Sequence, residues 1–318
     1  MNNSTKNISQ AEEKMVNIEL WSIPYFIGGF FTIILNLMTL LTFAGNAHLR
    51  RRSMYFLISL SAADMLVGVT MAAYALSIIF SMRTIMDGPL IDSFQVHAAF
   101  DMFSAVASFG GLVLVSLERM LATVFPIRHR AMGNRPYYIT IVIQWLIAAN
   151  SAPFHLLSPW NYYYTASAGL LLGLIAICVS YFMIFFAVKN QNRKHQKDIL
   201  SRAQHQEREL AKTIFIVTVI SLLTYLPDAI ETAIWGELFD LNYNIISSLL
   251  RQMNSTVNPL VYITRMSEFR RALQKLVRCK RQHLVFTDER NRVPRNVHGH
   301  RNVGDSPLED LEQHKGIQ

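Results

Sequence analysis

Five polar residues sit where an apolar chain should not carry them: Asn36, Asp64, Ser108, Asn254 and Asn258, each near the middle of a long stretch poor in charge. Carboxylate, hydroxyl and carboxamide groups at such depth exchange hydrogen bonds between helices or surround a cation, because an ionised group at mid-bilayer costs roughly 3 kcal/mol and stays only when it faces a partner. Two readings are open at this point: a converging cluster between spans one, two, three and seven, or unrelated interhelical hydrogen bonds. Asp101, Asp228 and Glu231, nearer the outer ends of their stretches, and Arg251, near the middle of its own, raise the same question.

The elements that must position them follow from hydropathy. The chain has 318 residues, 51% hydrophobic and only 16% charged, with mean hydropathy +0.23. A soluble surface carries about a quarter charged residues, so a soluble enzyme and a disordered chain both fail. A helix needs about 20 apolar residues to cross a bilayer. Leu20 to Leu49, Ser53 to Met82 and Ser93 to Leu117 satisfy this. Pro136 to Val188 is 53 residues without a charge, enough for two spans joined by a turn at Ser158, Pro159 and Asn161. Thr213 to Trp235 and Leu241 to Ile263 bring the count to seven.

Basic residues set the orientation. Arg50, Arg51 and Arg52, then Arg128, Arg130 and Arg135, then the run from Lys189 to Lys212 all fall in alternate loops, and the segment after Ile263 is basic again. The net charge of +8 is thus topological rather than a sign of nucleic-acid binding. The amino terminus is expected outside a plasma membrane, uncleaved, with span one as its own anchor. Asn2, Asn3 and Asn7 then stand as glycosylation acceptors. Cys178 and Cys279 match neither a disulfide framework nor a metal motif.

The motifs now carry a resemblance. From Tyr25 to about Leu276 the chain resembles a rhodopsin-like (class A) G-protein-coupled receptor. Span seven ends in Asn258-Pro259-Leu260-Val261-Tyr262, and Leu60-Ser61-Ala62-Ala63-Asp64, Asn36 and Trp145 fall at the family's signature places. Glu118-Arg119-Met120 closes span three, with Met where Tyr is usual, and Pro126 follows. The resemblance implies an all-α membrane protein: an extracellular tail over 1–20, a seven-transmembrane helix bundle over 21–265, a short amphipathic eighth helix over 266–278 and a disordered cytoplasmic tail over 279–318.

It also implies roles. Arg119 would pair with Glu118 and with Glu207, holding span six inward. Rupture of those pairs, with Tyr181 and Tyr262 turning inward, would open a cleft for a heterotrimeric G protein, and later arrestin. Pro227 would be the hinge, with Tyr225 and Ser221 where the family usually has Trp and Phe. Asp64, Ser108, Asn254 and Asn258 match its sodium pocket, sodium being the one ion implied and no other cofactor. Cys279 is a candidate for palmitoylation.

For the ligand, Asp101 lies eighteen residues before Arg119, where amine receptors keep the carboxylate that meets an ammonium. Arg251 complicates this, since opposite charges in a low-dielectric bundle tend to pair. Either it neutralises Asp101, or it pairs with Asp228 and Glu231 and leaves Asp101 free, and an extracellular small molecule or peptide, zwitterionic or acidic, stays open beside an amine. Tyr74, His97, Tyr225 and Gln252 complete the candidate wall. Phe94 stands where the family's disulfide cysteine is expected, and Gly173 replaces a span-five proline; with a very short second outer loop these resemble the branch of melanocortin, cannabinoid, lysophospholipid and adenosine receptors, of which adenosine receptors keep the bridge, and they pull against the amine cue. Span seven has no lysine for a retinal Schiff base, no internal repeat suggests a transporter, and no catalytic cluster suggests an enzyme. Met120, Ser221 and Tyr225 leave a non-signalling, receptor-like scaffold as the rival.

Overall fold

The computed structural model describes residues 2–83, 90–194, 219–221, 223–230 and 241–276. Among these residues the chain is helical and contains no strand. Helix α1 is Asn2–Gly45, α2 Tyr55–Arg83, α3 Leu90–Val124, α4 Pro126–Ala131, α5 Arg135–Leu157 and α6 Pro159–Lys194. Helix α7 comprises 219–221 and 223–230, α8 is Leu241–Arg265, and α9 is 267–276.

Five of these are long and apolar enough to cross a bilayer, in Leu20–Gly45, Tyr55–Ile79, Gln95–Val124, Arg135–Leu157 and Tyr164–Asn190. The protein is therefore an all-α, multi-pass membrane protein. Span six is described only as α7. Helix α8, at 25 residues, has the length to cross, and its polar row explains its lower hydropathy.

Several ends differ from expectation for local reasons. Span one stops at Gly45, not Leu49: Asn46 turns its amide onto the Thr42 carbonyl at 2.8 Å and the chain tightens into a 3₁₀ turn over Ala47–Leu49. At its other end α1 starts at Asn2, so the expected tail carries helical backbone, in keeping with the helix-forming run Ala11 to Met15. Span three runs past Leu117 to Val124, because its stop is Phe125 before Pro126, where αR geometry is disfavoured. The break between α5 and α6 is Ser158 alone, extended before Pro159; Asn161 lies inside α6 rather than in the turn.

Helix α3 packs on α2, α5 and α6, while α1 lies between α2 and α8. Helices α1 and α2 approach so closely that a Cβ on Gly29 would fall 2.8 Å from the Gly68 carbonyl oxygen. Only glycine fits there. Trp145 anchors α5 to α2 by donating its indole N–H to Ser59 Oγ at 2.9 Å. The largest core cluster is aliphatic and aromatic, with Phe43, Leu57, Leu60, Leu112, Ile177 and Tyr225 all nearly without exposure. Helix α9 docks on it: Phe269 meets Phe43 at 5.3 Å between ring centres and Leu273 is buried, whereas Arg270, Arg271 and Lys275 are exposed.

Candidate functional site

Arg251, Asn254, Ser255, Asn258 and Tyr262 recur at three- and four-residue steps, so they share one face of α8, and all are buried. That face looks into the bundle and takes part in polar contacts at the outer two of three depths.

At the outer depth Arg251 is shared by two acids. Its Nη2 lies 2.6 Å from Asp101 Oδ2 of α3, and its Nη1 lies 3.6 Å from Asp228 Oδ1 of α7. The expected choice between the two acids is thus corrected: Arg251 holds both, Asp101 more closely, and Asp101 is not free. The guanidinium is 4% exposed, while the carboxylate side chains keep 23% and 16%. Two acids around one base leave one surplus negative charge. Tyr74 and His97 meet edge to face at 6.0 Å and Tyr25 adjoins Tyr74 at 5.7 Å, forming an aromatic wall from α1 to α3. Gln252 points elsewhere, over Gly28 of α1, where a Cβ would come within 3.1 Å of its amide. Glu231 lies outside the described residues.

At the middle depth Asp64 has no exposure and accepts from Ser108 Oγ at 2.5 Å and Asn258 Nδ2 at 2.9 Å. Ser108 Oγ lies 3.5 Å from Ser255 Oγ. Asn36 joins from α1 by donating to the Ser255 carbonyl at 3.1 Å and to that of Thr32 at 3.0 Å. Asn254 does not join Asp64. Its Oδ1 accepts a 2.5 Å hydrogen bond from Ser221 of α7, so that oxygen is engaged away from the carboxylate and Ser255 stands in its place. Tyr225, 1% exposed, lies against Phe109 with ring centres 5.0 Å apart.

At the inner depth Glu118 divides its two oxygens. Oε2 lies 3.0 Å from Arg119 Nε and Oε1 lies 3.0 Å from His129 Nε2 of the short helix α4. The same His129 nitrogen meets Tyr137 Oη at 2.9 Å, which ties α4 to α5. Glu118 and Arg119 are 4% and 6% exposed, so this is an interior cluster rather than an exposed helix end. Tyr181 and Tyr262 are both buried in the neighbouring core. Glu207 and Cys279 lie outside the described residues, as do the side chains of Asn2, Asn3, Asn7 and Phe94.

Sequence reasoning missed Ser255, His129 and Tyr137 as members of these clusters. Ser255 had a usable signal, standing four residues after Arg251 and three before Asn258 on the same helical face. His129 and Tyr137 had none beyond polarity near a helix end.

Residues 35–167 match the 7 transmembrane receptor (rhodopsin family) profile, and residues 158–279 match that of the serpentine type 7TM GPCR chemoreceptor Srv. The histamine H2 receptor of Rattus norvegicus is 25% identical over 301 residues, covering 78% of this chain and 79% of that one. The adenosine receptor A2a of Homo sapiens is 25% identical over 284 residues, covering 73% and 66%. The blue-sensitive opsin of Psalidodon fasciatus is 25% identical over 285 residues, covering 80% and 78%. Two seven-transmembrane receptor profiles thus match successive parts of the chain, and the relatives it resembles are rhodopsin-like receptors.

Proposed function

We propose that this receptor resides in the plasma membrane with its amino terminus outside, takes a cationic, amine-type ligand at Asp101, Arg251 and Asp228, and activates a heterotrimeric G protein by outward movement of span six. The carrying observation is the sharing of Arg251 between two carboxylates. The triad is one positive charge short of neutrality, so a ligand ammonium completes it, whereas a carboxylate ligand meets an arginine already engaged twice. The aromatic wall of Tyr25, Tyr74 and His97 suits a cation as well. The histamine receptor among the relatives agrees with this class by its name.

Because the triad joins α3, α7 and α8, a cation that takes over one carboxylate loosens Arg251 from it and changes how span six is held. The Ser221–Asn254 hydrogen bond is the next tie between α7 and α8, and Pro227 gives the hinge. At the inner end Arg119 leaves Glu118 as the cleft for the G protein opens, after which arrestin competes for the same face. Asp64, Ser108 and Ser255 supply hard oxygens suited to sodium, whose positive charge would favour the closed bundle. Asn254 would act there only after releasing Ser221.

The test is an amine panel read through G-protein activation in cells, with Asp101→Asn and Arg119→Ala alongside. A response to an amine that Asp101→Asn abolishes supports the reading; one that survives it removes Asp101 as the counter-ion. Ser221 and Tyr225, unusual at their places, favour the second reading of a silent scaffold. That reading wins if cells with and without the receptor give the same signal for every G-protein class.

A further inference from the structure

Of the five long apolar helices, α5 buries the smallest share of itself inside the bundle. Its exposed stripe of Ile139, Ile143, Leu146, Ile147 and Phe154 suits hydrocarbon. Asn150 does not. It stands on the same stripe, four residues after Leu146 and four before Phe154, and is exposed. Only seven residues separate it from the Leu157 end of α5, about 10 Å at 1.5 Å per residue, so the carboxamide lies within hydrocarbon rather than among headgroups. One of its N–H groups donates to the Leu146 carbonyl at 2.8 Å, its one side-chain hydrogen bond among the described residues. The second N–H and Oδ1 are left over. Pro153, exposed one turn on, has no N–H and cannot close the helical hydrogen bond to the carbonyl of Ala149, which is exposed as well. Three polar groups thus meet lipid at one place, and acyl chains offer none of them a partner.

We propose that Asn150 is the centre of a self-association face within the membrane, whose occupant is α5 of a second copy of this chain. A carboxamide is its own complement. Across a twofold axis the spare N–H of Asn150 on each copy donates to Oδ1 on the other, while the first N–H stays on Leu146. The apolar side chains on either side, spaced at three and four residues, then pack against their own counterparts and close lipid off from the pair. Other occupants fit less well. A phospholipid headgroup stays outside this depth, and a partner helix with a charged side chain would carry an unmatched charge into hydrocarbon. The face involves neither the Asp101–Arg251–Asp228 cluster nor the Glu118–Arg119 cluster, so it stands or falls independently of the ligand and of signalling.

The experiment uses the full chain, with one fluorophore per copy, in phosphatidylcholine vesicles at a series of protein-to-lipid ratios and without ligand or G protein. Photobleaching steps count the copies in each particle. The wild type is expected to pass from single to paired copies as its density rises. Asn150→Leu, which keeps the apolar stripe, should move that midpoint to a density about fivefold higher or more while unfolding at the wild-type temperature. Ile175→Ala with Val179→Ala, on the exposed face of α6, should move it less than twofold. In a chain with Cys178 and Cys279 replaced by serine, Asn150→Cys should cross-link between copies on oxidation, and Ile175→Cys should not. Single copies at every density, an unmoved midpoint for Asn150→Leu, or an equal shift in the α6 variant overturns the proposal. Cross-linking through Ile175→Cys as fast as through Asn150→Cys does so too, by showing random collision rather than a built face.

Discussion

The outer and inner charge clusters are built from the same parts in opposite proportion. Outside, two carboxylates from α3 and α7 share one guanidinium; inside, one carboxylate is divided between Arg119 and His129. The outer cluster is deficient in positive charge, the inner one is not, and each is tied across separate elements. On the proposed reading, the outer end takes a cation and the inner end a partner that draws Arg119 away from Glu118. The acids also differ in access: Asp101 and Asp228 keep part of their surface open, whereas Glu118 is covered.

The largest break in this symmetry is Arg251→Met, which leaves two carboxylates facing each other. It should lower stability by about 3 kcal/mol, seen as a drop in unfolding temperature of the purified receptor, and Asp101→Asn with Asp228→Asn in the same chain should recover most of it. Asp101→Asn alone is expected to weaken amine potency roughly 100-fold in a dose-response assay. Asp228→Asn, whose contact is 3.6 Å rather than 2.6 Å, should weaken it no more than about tenfold. If the two acids prove equal, the outer cluster is not graded as its distances say.

On the inner side Glu118→Gln removes the charge holding Arg119 and should raise ligand-independent G-protein activation about fivefold. The smallest effect belongs to His129→Ala. It strips the partner from Glu118 Oε1 and should cost about 1 kcal/mol of thermal stability while leaving amine potency within twofold. A larger loss of potency from His129 than from Asp228 would contradict the division of labour between the ends.

The legible part of this molecule was the part written in short-range spacing. Helical periodicity carried the buried row of α8 and the all-apolar stretches carried the spans, since both depend on neighbours along the chain. The single-residue break at Ser158 was legible from Pro159, while Asn161 misled because the helix resumes at once after a proline. What spacing could not supply was the choice among long-range partners. Asp101 and Asp228 were equal candidates for Arg251 in sequence, and only packing decides that it holds both. Asn254 was assigned beside Asp64 by its place in α8, but its amide oxygen accepts a hydrogen bond from Ser221 of α7, a long-range partner that spacing along α8 does not reveal. His129 enters because α4, begun by Pro126, turns the chain back toward Glu118.

The most direct test of the account is a spectroscopic distance distribution, with spin labels at Val124 on the inner end of α3 and at Thr213, the first residue of the sixth apolar stretch of the sequence, measured without ligand and with a cationic agonist plus G protein. The two-ended account predicts a longer distance in the second state for the wild type and no such shift for Asp101→Asn. An unchanged distribution in the wild type, under an agonist shown to be bound and a transducer shown to be present, would contradict it.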